Sequence, residues 1–106
     1  MLFRSKSIMY TISVKVYLEV AERLSALIGN LHYYSGAFEF ESEGVLYRMI
    51  MSAMIYRHRE TLPEGREVDI IDNIIPVWWE FRSTTDEGEV LNDFDFAELK
   101  QYLLDK

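Results

Sequence analysis

The spacing of apolar residues changes period twice along this chain. Ile8, Tyr10, Ile12, Val14 and Val16 alternate with Met9, Thr11, Ser13 and Lys15. A period of two predicts a strand. From Val16 the period lengthens. Val16, Val20, Leu24, Leu27, Ile28 and Leu31 fall on one helical stripe, with Glu19, Glu22 and Arg23 opposite,. This predicts a helix over about 17–29, closed by a left-handed cap at Gly29-Asn30,. Period two then returns. His32 to Gly36 reads as a connector, and Phe38 and Phe40 alternate with Glu39 and Glu41 in a strand. Ser42-Glu43-Gly44 is a tight turn with glycine at the positive-φ position,. Val45 to His58 reads as a long strand, Arg59 to Arg66 as a polar loop, and 68–71 as a short strand before a longer one over about 74–83. Thr85 to Gly88 is a hairpin turn, and Glu89-Val90-Leu91 returns. Asp95-Phe96-Ala97-Glu98 has capping-box spacing and opens a short helix over Leu99, Tyr102 and Leu103,.

The predicted order is β-α-β-β-β-β-α in a single domain spanning 1–106. That is an α+β architecture: an antiparallel meander with one main helix packed on it and a short C-terminal helix. The order resembles the cystatin-like wrapped helix, a likeness of fold that transfers no function. The main helix is expected to pack through Val20, Leu24, Leu27 and Ile28.

Two strands decide where contact with another molecule is expected. In the long strand, Val45, Tyr47, Met49, Met51, Ala53 and Ile55 share one face,. Leu46, Arg48, Ile50, Ser52, Met54 and Tyr56 share the other, so neither face is polar. In the strand that follows, Val77, Trp79 and Phe81 are assigned to the core. Pro76, Trp78, Glu80 and Arg82 take the opposite face. A sheet with one wetted side alternates cleanly. This one does not, so its second face needs a cover. Trp78, Ile50, Met54 and Tyr56 are the candidate interface residues, with a second copy as the expected cover. Pro76 cannot donate in a ladder and implies an edge, a bulge or a strand start.

Charge and composition narrow the classes. Residues 1–66 carry eight basic against seven acidic side chains, and residues 67–106 three against eleven. The net charge of −7 opposes nucleic acid and suits a basic protein partner,. The chain has no cysteine, which excludes disulfides, thiolate metal sites and a cysteine nucleophile, and suits a cytoplasmic location,. Arg4 and Lys6 precede Ile8-Met9-Tyr10, but polar residues interrupt the run, and it is not read as a signal segment,. No apolar run is long enough to cross a membrane.

Candidate chemistry is sparse. No phosphate loop, metalloprotease motif or nucleophile elbow is present,. No metal site or cofactor is expected, and catalysis is assigned to no residue. His58, between Arg57 and Arg59, is expected to resist protonation, and His32 to meet free carbonyls at a helix end,. Asp69, Asp72 and Glu80 read as surface charges. The run Asp86, Glu87, Glu89, Asp93, Asp95 and Glu98 lacks the register of a calcium loop,. The leading expectation is a non-catalytic, self-associating interaction module. One alternative is a small-molecule pocket, catalytic or not, between sheet and helix, lined by Tyr33, Tyr34, Tyr56, Trp79, Arg57 and His58. Another is an acidic mimic of nucleic acid that binds a basic protein through the 86–98 carboxylates.

Overall fold

A computed structural model describes residues 9–104 of the chain. The element order is α1 (Val14–Ile28), β1 (Tyr33–Ser42), β2 (Val45–Thr61), β3 (Glu67–Thr85), β4 (Gly88–Val90) and α2 (Phe96–Leu104). The four strands form one antiparallel sheet in sequence order, and the class is the expected α+β meander with a packed helix and a short C-terminal helix.

Among the described residues the N-terminal strand is not formed. Ile8, with Arg4 and Lys6, lies outside the described residues. Within them, Tyr10 makes a single bridge to Asn92, and the helix begins at Val14. The reason is local. The Ser13 hydroxyl accepts a hydrogen bond from the Val16 N–H at 3.3 Å, a helix N-cap that overrides the strand preference of two β-branched valines,. At the other end Gly29 takes φ 51° and donates to the Ser25 carbonyl, the expected C-cap. α1 buries Val16, Tyr17, Val20, Ala21, Leu24 and Ile28. Leu27, expected in that stripe, is exposed, as is Leu31. The buried stripe runs along the Tyr17 and Ala21 side instead.

The core lies between the helices and one face of the sheet. Tyr34, Phe40, Tyr47, Met49, Met51, Ala53, Ile55, Ile74 and Phe81 from the strands meet Val20, Leu24, Phe96, Leu99 and Leu103 from the helices. Aromatic rings link the two layers. Phe40 packs on Tyr47, Tyr47 on Phe81, Phe81 on Phe94 at 4.1 Å between centroids, and Phe94 on Tyr17. Asp95 caps α2 as the spacing predicts, accepting from the Ala97 N–H at 3.1 Å. Its own N–H donates to the Tyr17 hydroxyl rather than to Glu98, so α1 completes the cap of α2.

The long strands differ from expectation in extent. Tyr33 to Gly36 belongs to β1, β2 extends through Arg59 to Thr61 and leaves only 62–66 as the loop, and the two strands expected at 68–71 and 74–83 are one, β3. β3 is continuous, with register shifts at Ser52/Ala53 and Tyr56/Arg57. The first leaves Val77 without a partner on β2, between Trp78 (opposite Ser52) and Pro76 (opposite Ala53). Pro76 thus sits at a bulge, where its missing N–H costs no regular ladder bond. Val77, assigned to the core from its alternation with Trp79, is 67% exposed for the same reason. β1 ends opposite Met54, so the hairpin beyond Tyr56 projects as a two-stranded arm.

Candidate functional site

Strand alternation sorts the sheet into an inner face, under the helices, and an outer face. Ile50, Met54, Tyr56 and Trp78 all lie on the outer face. Met54 stands directly between Tyr33 of β1 and Ile75 of β3, Ser52 is opposite Trp78, and Ile50 is opposite Ala37 and Glu80. Trp78 is 51% exposed, Tyr56 50% and Met54 40%, while Ile50 is partly shielded. Tyr33, Ile75 and the bulged Val77 extend this patch and are also exposed. Sequence reasoning found four members and missed Tyr33, which it read as a connector, together with Ile75 and Val77. The faces of Ile75 and Val77 invert at the bulge, and Pro76 is the signal that marks where.

Ion pairs bound the patch along the strands. At the hairpin-turn end, Arg48 donates to Glu39 at 2.9 Å, and Arg82 pairs with Glu80 and, at 3.8 Å, with Glu89. At the arm end, His58 Nδ1 lies 2.5 Å from Asp72 and Nε2 lies 3.0 Å from Glu60. Hydrogen bonds to Glu60 and Asp72 raise the His58 pKa. Both ring nitrogens face a carboxylate, and only the protonated ring can donate to both. The expectation that Arg57 and Arg59 would discourage protonation is overturned. Alternation turns those two arginines to the inner face, where Arg59 pairs with Glu67 at 3.1 Å,.

Arg57 has a different task. Its side chain is 5% exposed. Nη2 donates to the carbonyls of Gly29 and Leu31 at 2.7 Å each, and Nε donates to Leu31 at 2.9 Å. It therefore supplies the donors at the end of α1 that were expected from His32. His32 is exposed, and its carbonyl accepts from the Ile55 N–H.

The pocket residues foreseen between sheet and helix do not converge. Tyr33, Tyr56 and His58 are on the outer face, while Tyr34, Trp79 and Arg57 are on the inner. Trp79 packs against Phe94 and Phe96. Asp69, Asp72 and Glu80 each face a cation, Arg57, His58 and Arg82, and do not pair with one another. In the acidic run, Asp93 accepts from the Ile12 N–H at 2.7 Å and Asp95 caps α2, so both carboxylates are committed to main chain. A groove of about 380 Å³ opens beside Ser25, Asp69, Ile71 and Leu103, and a hollow of about 310 Å³ beside Tyr10, Glu43 and Asp86. The groove holds the hydroxyl of Ser25 and the carboxylate of Asp69, which faces Arg57. No helix among the described residues is long and apolar enough to cross a membrane.

The arrangement defines an α+β domain with two helices on one side of a meander and an apolar, half-exposed face on the other. Comparison with protein families, with curated proteins and with solved structures finds no match to the chain.

Proposed function

We propose that this protein is a non-catalytic interaction module that associates with a second copy of itself through the outer face of its sheet. The observation that carries the reading is the exposure of Trp78, Tyr56 and Met54 on one continuous surface with both helices on the opposite side. Trp, Tyr and Met are enriched in the buried centres of interfaces.

Size supports a second copy. Three strands about 4.8 Å apart from Leu46 to Met54, and two from Ile55 to His58, at about 3.3 Å per residue, cover roughly 550 Å²,. Two such faces bury on the order of 1,100 Å², just under the standard range and in that of weaker interfaces. The rim supports it too. Its arginines are already paired with Glu39, Glu80 and Glu89, so the patch presents no unopposed positive charge to select an acidic partner. Two copies of one face related by a two-fold axis need no other component.

The test is Trp78→Glu, measured by size-exclusion chromatography with light scattering. Placing a carboxylate at the centre of the contact should halve the assembled mass at micromolar concentration while the circular dichroism spectrum is retained. An unchanged mass refutes the face as the contact.

A further inference from the structure

We propose that the open edge of β1 pairs with the same edge of a second copy, antiparallel about Ala37, so that the two sheets join into one. This contact is separate from the outer face and does not depend on it.

Among the described residues nothing pairs with the edge of β1 that faces away from β2. A free edge of ten residues is a template for another strand, and soluble proteins usually blunt such edges with proline, lysine or bulges. β3 does so, with Pro76 and two register shifts. β1 does not. Tyr33–Ser42 contains no Pro, Lys or Arg, and its register with β2 is unbroken over all ten pairs.

The ladder fixes which groups are free. The Ile55 N–H donates to the His32 carbonyl at 2.9 Å, and the same register continues with Tyr33 opposite Met54. Hydrogen-bonded and non-bonded pairs alternate in an antiparallel ladder. The main chain of Tyr34, Gly36, Phe38, Phe40 and Ser42 therefore points to β2. That of Tyr33, Ser35, Ala37, Glu39 and Glu41 points outward.

A symmetric partner must match outward residues with outward residues. A two-fold axis at Ala37 pairs all five: Tyr33 with Glu41, Ser35 with Glu39, and Ala37 with itself. Each such pair exchanges two hydrogen bonds, about ten in all. Axes at Gly36 or Phe38 pair only four, and an axis at Glu39 sets like charges directly opposite, which is destabilising. Hydrogen-bond count selects the axis at Ala37, and charge excludes the one at Glu39. A second copy therefore satisfies this edge along its whole length.

Two measurements test the proposal. The first is amide exchange on the unmodified protein across a concentration series. The amides of Tyr33, Ser35, Ala37, Glu39 and Glu41 should slow at least tenfold as the assembly forms, while those of the alternating residues are slow throughout. The second uses the absence of native cysteine. Ala37→Cys should form an intermolecular disulfide under mild oxidation, because hydrogen-bonded partners have Cα atoms about 5.5 Å apart. Ser35→Cys and Glu39→Cys place the two sulfurs four positions apart, roughly 13 Å, and should not. Outward amides that stay fast in the assembled protein, or equal cross-linking at all three positions, overturn the edge pairing. Face-to-face sheets lie about 10 Å apart and cannot produce the Ala37 cross-link. With both contacts, four copies assemble, and Trp78→Glu leaves a pair whose outward amides remain protected. If only the face contact fails, that variant changes nothing. A wild type that remains a single copy at its highest soluble concentration overturns both.

Discussion

Removing the guanidinium of Arg57 should cost this domain a large share of its stability. The side chain joins β2 to the end of α1 through three short donor contacts, to Gly29 and Leu31, with Asp69 at 3.6 Å behind it. Arg57→Met keeps an apolar stem and deletes the charge and the donors. A hydrogen bond to a charged group contributes about 1.5–3 kcal/mol, and a cation at a helix C-terminus about 0.5 kcal/mol. Gly29 and Leu31 are exposed, so water replaces part of what is lost. The expected destabilisation is therefore about 2–3 kcal/mol, against a total of roughly 5–15 kcal/mol for a domain. At a urea slope of about 1–3 kcal/mol per molar, the midpoint should fall by about 1–2 M with the slope unchanged. Arg59→Met is the control, since that side chain is 73% exposed and, among the described residues, pairs with Glu67 alone. Its loss should stay within about 0.5 kcal/mol. Equal midpoints for the two variants would refute the view that Arg57 ties the helix end to the sheet.

Two further outcomes follow from the same geometry. Trp79→Ala should destabilise by about 3 kcal/mol, because its ring packs on Phe94 and Phe96, while Trp78→Ala should cost under about 1 kcal/mol in the single copy,; equal urea midpoints at high dilution would show that the two faces are wrongly assigned. His58 has a raised folded pKa from Glu60 and Asp72, so its contribution is complete below its unfolded value of about 6.5 and is lost as pH rises through the folded value,. The gap in urea midpoint between wild type and His58→Gln should accordingly shrink between about pH 5.5 and about pH 9, and a gap that widens over that range would contradict the sign.

What could be read from the chain was local. Gly44 in the turn, Gly29 at the helix end and Asp95 before α2 are residues whose backbone role follows from their type, and each stands where its spacing placed it. The faces of β2 were also legible, because its alternation is unbroken from Val45 to Tyr56. Features set by caps, bulges and cross-strand partners were not. Val14 and Val16 read as strand, yet the Ser13 hydroxyl starts a helix there. Trp79 and Val77 share a parity, yet a bulge at Pro76 separates them. His58 follows Arg57 and precedes Arg59, yet its electrostatic neighbours are Asp72, across the hairpin, and Glu60. The Ser13 cap and the Pro76 bulge are near in sequence but interrupt the period, whereas Asp72 lies outside the window that periodicity uses. Arg57 is the extreme instance, acting on carbonyls 26 and 28 positions away.

The outer face is best judged against the arm that continues it. α1 and α2, of 15 and 9 residues, span about 22 and 14 Å, whereas β2 and β3, of 17 and 19 residues, span about 56 and 63 Å,. The helices can cover one face of the sheet over part of its length and nothing more. Where the hairpin runs past them, the chain turns charged. Arg57, His58, Arg59, Glu60, Glu67, Asp69 and Asp72 are all joined in ion pairs there. The same two strands are thus written for water when water is their surroundings. Behind the core, on the face the helices leave bare, they instead carry Ile50, Met54, Tyr56, Ile75 and Trp78. Helix packing on the inner face does not require apolar side chains on the outer one. Their presence there, between two ion-paired ends, is what supports the proposed contact through this face.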